Sequence, residues 1–165
     1  MTALKNGITV VTETPDVPGA VGIQVLLNVG TRDETSKTSG ALLSLKNSYY
    51  KTVLNTNETI NYGMVQQSGG SFTMDYDQEN THFKASCLSH DVVDIFRMVS
   101  DCAIEPRSVV AANVAIGKAK STHALHKGTG ADFNDSLFRT AFGLTGLGNP
   151  ILGLSSNIEY LNASA

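Results

Sequence analysis

At 165 residues the chain has the length of one compact domain, and with 41% hydrophobic and 16% charged residues its composition argues against disorder. A formal charge of −3, from 12 basic and 15 acidic residues, gives no dense positive patch of the kind that nucleic acid or an anionic membrane rewards. The two cysteines, Cys87 and Cys102, are too few and too far apart for a disulfide framework or a Cys-based zinc site, which fits a reducing compartment. No run of about 18 apolar residues is present to span a bilayer, so any membrane association is expected to come through partners.

Asn6-Gly7 signals a turn and the β-branched stretch Ile8–Thr12 reads as a first strand, with no room for a signal or transit peptide ahead of it in this sequence, so a targeting segment is expected either to be missing from the sequence or not to be needed. Val21, Ile23, Val25, Leu27 and Val29 then recur every second residue, the pattern of a strand with one wholly apolar face. Gly40–Lys51 reads as a helix with Leu42, Leu45 and Tyr49 toward the sheet. A second helix covers Glu58–Gln67 and stops at Gly69-Gly70. Phe72, Met74 and Tyr76 alternate in one strand, Phe83, Ala85 and Cys87 in another, and Asp77–Asn80 joins them as a hairpin.

The second half is helical. Ser89 is a natural N-cap for a helix whose apolar stripe is Val92, Ile95, Phe96, Val99 and Ala103, with Pro106 marking its end. Val109–Ala119 continues as a helix weakened at Gly117 by roughly 1 kcal/mol relative to Ala. Phe133, Leu137, Phe138, Ala141 and Phe142 mark a helix after Asp132, a glycine-rich stretch follows from Gly143 to Gly153, and Asn157–Leu161 begins one more. This order predicts a single α+β domain over residues 1–165, an antiparallel sheet covered by helices, with no internal repeat.

The sequence carries few motifs of known chemistry. Gly117-Lys118 is followed by Ala119, which rules out a P-loop, and no Gly-x-Ser-x-Gly elbow occurs. Gly146-Leu147-Gly148 has Ile151 where a dinucleotide turn needs its third glycine, so it reads as a surface loop. His123 and His126 lie one turn apart without a third ligand nearby, and read as a solvated or capped pair. Asp75 and Asp77 suit paired-carboxylate chemistry in spacing, but a solvated sheet edge beside a hairpin is the better reading. The sequons at Asn57, Asn134 and Asn162 are short enough to arise by chance.

An ordered set of short motifs carries more. Leu4-Lys5-Asn6-Gly7-Ile8, Val21-Gly22-Ile23, Gly30-Thr31-Arg32-Asp33-Glu34 and Ser39-Gly40, then Ser68-Gly69-Gly70-Ser71-Phe72 with Glu79, then Leu147-Gly148-Asn149-Pro150-Ile151-Leu152-Gly153, cover nearly the whole chain. Together they resemble the N-terminal part of a half-molecule of the pitrilysin-type metallopeptidases. The closer likeness is to the mitochondrial branch, which holds the processing peptidase subunits and the core proteins of respiratory complex III.

Active members of that family carry His-x-x-Glu-His three residues after the glycine matched by Gly40, a helix that grips zinc through two histidines while the glutamate activates water. Here those positions are Leu43, Lys46 and Asn47, which offer no comparable ligand set. The family's third ligand is expected near Ser121 to Ala124, yet no Asp or Glu occurs from Pro106 to Ala131, and the substrate-holding asparagine of the strand is replaced by Thr73. The resemblance therefore implies no catalytic residue, no metal and no cofactor. It implies a non-catalytic core subunit of complex III, peripheral to the mitochondrial inner membrane on the matrix side, or alternatively the alpha-type subunit of the processing peptidase, which contacts presequence peptides. The implied partners are a second processing-peptidase-like subunit and other complex III subunits. Because the family's half-molecule runs past Ala165, the domain is expected to be incomplete, with apolar stripes between Val92 and Ala103 and between Phe133 and Phe142 left for another chain to cover.

Overall fold

The computed structural model describes residues 1–14, 19–49, 58–104, 109–126 and 130–158. Its central sheet is built from β3 (Ala20–Leu27), β4 (Ser71–Tyr76) and β5 (Thr81–Leu88), after a small hairpin of β1 (Thr2–Ala3) and β2 (Thr9–Val10). The strand order is β3-β5-β4 and both pairings are antiparallel, with Ala20 opposite Leu88 and Ser71 opposite Ser86. Helices α1 (Ala41–Lys46), α2 (Glu58–Gln67), α3 (Val92–Ile104), α4 (Val109–His126), α5 (Gly130–Phe142) and α6 (Ser155–Ile158) complete an α+β fold.

Period-two alternation puts Phe72 and Met74 of β4 and Phe83, Ala85 and Cys87 of β5 on one buried face. Against it α3 lays Ile95, Met98, Val99 and Cys102, four residues at helical spacing, and α2 contributes Val65. Val21, Ile23, Val25 and Leu27 of β3 join this core half-buried. Phe72 stacks on Phe83 with ring centroids 6.4 Å apart and meets Tyr49 edge-on at 5.3 Å.

Glycine ends α2 as its sequence suggests. Gly69 takes φ +62°, Gly69 N–H bonds Gln66 O and Gly70 N–H bonds Val65 O, so both orphan carbonyls are satisfied as the chain turns into β4. At Gly70 a Cβ would collide with the Ser86 carbonyl, so β5 sets the identity of that residue.

Several local expectations are corrected. The expected strand Ile8–Thr12 is two residues, Thr9–Val10, since among the described residues its one sheet partner is the two-residue β1. Helix α1 stops at Lys46 and Asn47 to Tyr49 form a turn, while Tyr50 and Lys51 lie outside the described residues. Asp91, not Ser89, directly precedes α3, and its carbonyl accepts Ile95 N–H at 3.0 Å. Phe96 points away from the core, and Met98 and Cys102 take the buried positions. The last helix begins at Ser155, two residues early; Pro106 and the segment from Glu159 onward lie outside the described residues.

Candidate functional site

The site is built around the start of α1. Gly40 occupies the N-cap position with φ 95° and has no side chain with which to cap the helix. Glu34 supplies the missing acceptor from six residues upstream: Oε2 accepts Gly40 N–H at 2.8 Å and Oε1 accepts Leu42 N–H at 2.9 Å. Burial pushes the Glu34 carboxyl above its ordinary value, and the backbone N–H groups of Leu42, Gly40 and Ala41 offset only part of that.

The glycine-rich stretch after α5 closes over this turn. Asn149 donates its side-chain amide to both Thr31 O and Glu34 O at 2.9 Å, and Leu154 N–H bonds Ser39 Oγ at 3.0 Å. From β4, Tyr76 donates its hydroxyl to Ile151 O at 3.0 Å, and from α5, Asp135 accepts Ile151 N–H at 3.0 Å. Gly153 has φ +75° and a Cβ there would lie 2.6 Å from Gly40 Cα, so only glycine allows the two segments to pass this close. Burial drives the Tyr76 phenol upward, with the Glu34 and Asp135 carboxylates reinforcing the shift, so it stays a neutral donor. Gly148 and Gly153 are buried, which corrects the reading of this stretch as a plain surface loop. It is a clasp between the Gly30–Gly40 region and the C-terminal helices.

Beneath the clasp lie the positions the sequence singled out. Leu43 is 3% exposed and packs on Ala119 of α4, with Tyr76 and Leu152 around the pair. Leu45 and Tyr49 reach the main core half-buried, as expected, and Leu43 fills the cleft between α1 and α4; of the expected sheet-facing residues Leu42 alone is half-buried without joining that core. Lys46 pairs with Asp75 at 3.0 Å, both side chains about half exposed, with its ammonium 5.8 Å from the Tyr76 ring centroid. Asn47 caps the end of α1, its amide donating to Leu43 O at 2.9 Å. Thr73 sits on the exposed face of β4 opposite Lys84, apart from the α1 residues in burial and partners.

The remaining candidates do not converge. Asp75 faces Lys46, whereas Asp77 accepts the N–H groups of Glu79 and Asn80 at 2.7 Å and lies 3.7 Å from His82. Desolvation pushes Asp77 up, but those hydrogen bonds and His82 outweigh it and hold the carboxyl low. His123 and His126 lie in α4, which carries no acidic residue, and Ser121 and Thr122 bond back to the helix carbonyls of Gly117 and Lys118. Among the described residues no three His, Cys, Asp or Glu side chains are placed to hold a metal ion, and no helix is long and apolar enough to cross a membrane.

Sequence reasoning missed Glu34, Tyr76, Asp135 and Asn149 as site-builders. The available signal was Glu34 itself, a carboxylate shortly before a helix whose first cap is a glycine. Compared with models of known families the chain matches none, and no curated protein matches it.

Proposed function

We propose that this chain is a non-catalytic subunit of the mitochondrial processing-peptidase type, serving as a core subunit of respiratory complex III that scaffolds the matrix side of the inner membrane. The observation that carries the reading is the packing of Leu43 on Ala119. If α1 corresponds to the family's zinc helix, the first ligand position is filled by hydrocarbon pressed against α4, the helix from which the third ligand would come. A buried leucine offers no lone pair, and the Lys46 ammonium repels a divalent cation. The motifs behind the resemblance also meet in space: Gly30–Glu34, Ser39–Gly40 and Leu147–Gly153 are joined by the Asn149, Leu154 and Gly153 contacts. A fold kept without its ligands is suited to structural work.

The alternative, an alpha-type processing peptidase subunit that binds presequences, is favoured by one feature. Among the described residues β4, which carries Thr73, is an edge strand of the sheet, where an extended peptide can add by backbone pairing. Elemental analysis and peptide assays test both readings. The purified chain should hold no stoichiometric zinc and cleave no presequence peptide, and Leu43→His, Lys46→Glu, Asn47→His together should still give no cleavage, because α4 supplies no carboxylate. One zinc per chain with cleavage would refute the non-catalytic reading; presequence binding protected along β4 would favour the alternative.

A further inference from the structure

The clasp is held in a different way from the rest of the fold. The sheet and α3 close on large side chains such as Met74, Phe83, Ile95 and Val99, each 1% exposed or less. In the clasp, from Gly143 to Leu154, only Gly148 and Gly153 are fully buried, and Leu147, Ile151, Leu152 and Leu154 are half-buried. Its grip is mostly polar: each bond to Thr31, Glu34, Ser39 and Tyr76 joins a side chain on one partner to a backbone group on the other. Gly143 and Gly153, with φ 74° and 75°, stand near its two ends, where the backbone turns without a Cβ penalty. Helix α5 rides on this segment. None of its described side chains is fully buried. Among the described elements it packs chiefly on the Gly146–Gly148 turn of the clasp, and that turn packs on Thr31–Asp33. Asp135 of α5 adds its bonds to the N–H groups of Ile151 and Leu152.

We propose that α5 and the clasp open and close as one unit, latched to the fold by Asn149 and Tyr76, and that opening uncovers the Leu43–Ala119 pair. Segments that bury few apolar side chains open at lower free energy than a core does. Because the packing of α5 runs through the clasp, a clasp that lifts from Thr31–Asp33 carries α5 with it. Leu152 leaves as well, and Leu43 and Ala119 lose one of their two half-buried walls. The main core stays closed, since no clasp residue belongs to it. This motion is independent of the function proposed above.

Hydrogen exchange read by mass spectrometry on the full chain tests the unit. Asn149→Ala should speed exchange by about tenfold or more and Tyr76→Phe by about threefold or more, in α5 and the clasp alike, although neither residue lies in α5. Exchange in β5 and α3 should stay as it was. A disulfide formed by Ser39→Cys with Leu154→Cys, at residues already joined by the 3.0 Å bond from Leu154 N–H to Ser39 Oγ, should slow exchange in α5 and the clasp together. Thiol labelling reads the cleft. In Leu43→Cys the thiol at position 43 should react about tenfold or more faster than the native Cys87 and Cys102, which are buried in the main core, and faster still with Asn149→Ala added. An α5 unprotected in the wild type, exchange that changes in the clasp but not in α5, or protection lost from β5 and α3 in step with the clasp would each overturn the proposal. So would a disulfide without effect, or labelling at position 43 no faster than at Cys87 and Cys102.

Discussion

Replacing Leu43 with alanine should destabilise the protein by about 2–3 kcal/mol, in the lower part of the range for buried leucines. The side chain is 3% exposed and is pressed between α1 and α4 against Ala119, so truncation loses its transfer free energy and opens a gap. The gap can partly close, because two of its walls, Tyr76 and Leu152, are themselves only half-buried and Leu152 rides on the clasp rather than on a helix. With a urea slope of about 1–3 kcal/mol/M, the denaturation midpoint should fall by roughly 1–2 M at fixed protein concentration, with the slope unchanged. Lys46→Ala is the internal control. Its ion pair with Asp75 is about half exposed on both sides, so its loss should cost about 0–1 kcal/mol. A series in which the lysine change is the more damaging would refute the assignment of the α1 face and the account of the site built on it.

Glu34 gives a pH signature. Its folded value is raised, so the ionised form is penalised in the fold and stability at this group grows as pH falls through that value toward 4.5. Urea midpoints should therefore show wild type gaining on Glu34→Gln as pH drops from neutrality; a constant difference would contradict it. Asp77 has the opposite sign. Held below 3.8, its contribution is present above that value and lost as pH falls through the depressed one, so thermal melts should show Asp77→Ala destabilised at neutral pH and equal to wild type in strong acid. Gly153→Ala must adopt a left-handed backbone and displace Gly40, costing about 1–2 kcal/mol for the backbone alone; an unchanged melting temperature would show that the clasp does not pass as close as described.

Much of the fold was legible because local signals agreed with tertiary demand. β3 as far as Leu27 and the β4–β5 hairpin followed from alternation, although Val29, expected on the same apolar face, lies beyond the strand and is exposed, and α2 ended where Gly69 permits a left-handed turn. The α1 face was legible at Leu45 and Tyr49 but not at Leu42. Periodicity identifies a stripe but not what covers each side of it, and Leu43 is covered by Ala119 and Leu152, far along the chain. Phe96 was misplaced because α3 is apolar on both sides, so spacing alone does not choose between its faces. The clasp was hidden because Glu34, Tyr76, Asp135 and Asn149 gain meaning only when a stretch read as a surface loop folds back over residues as far as 118 positions earlier in the chain. Leu43, Lys46, Asn47 and Thr73 were singled out through resemblance; the first three gather at α1 while Thr73 remains on the exposed strand face.

The most direct test of the proposed role is the mass and composition of the assembly that carries the native chain, isolated under mild detergent. A core subunit of complex III predicts a particle many times the chain's own 17.5 kDa, containing a second subunit of the peptidase-like type and showing cytochrome absorbance on reduction. Recovery in a soluble assembly without haem, or as a lone chain, would contradict it.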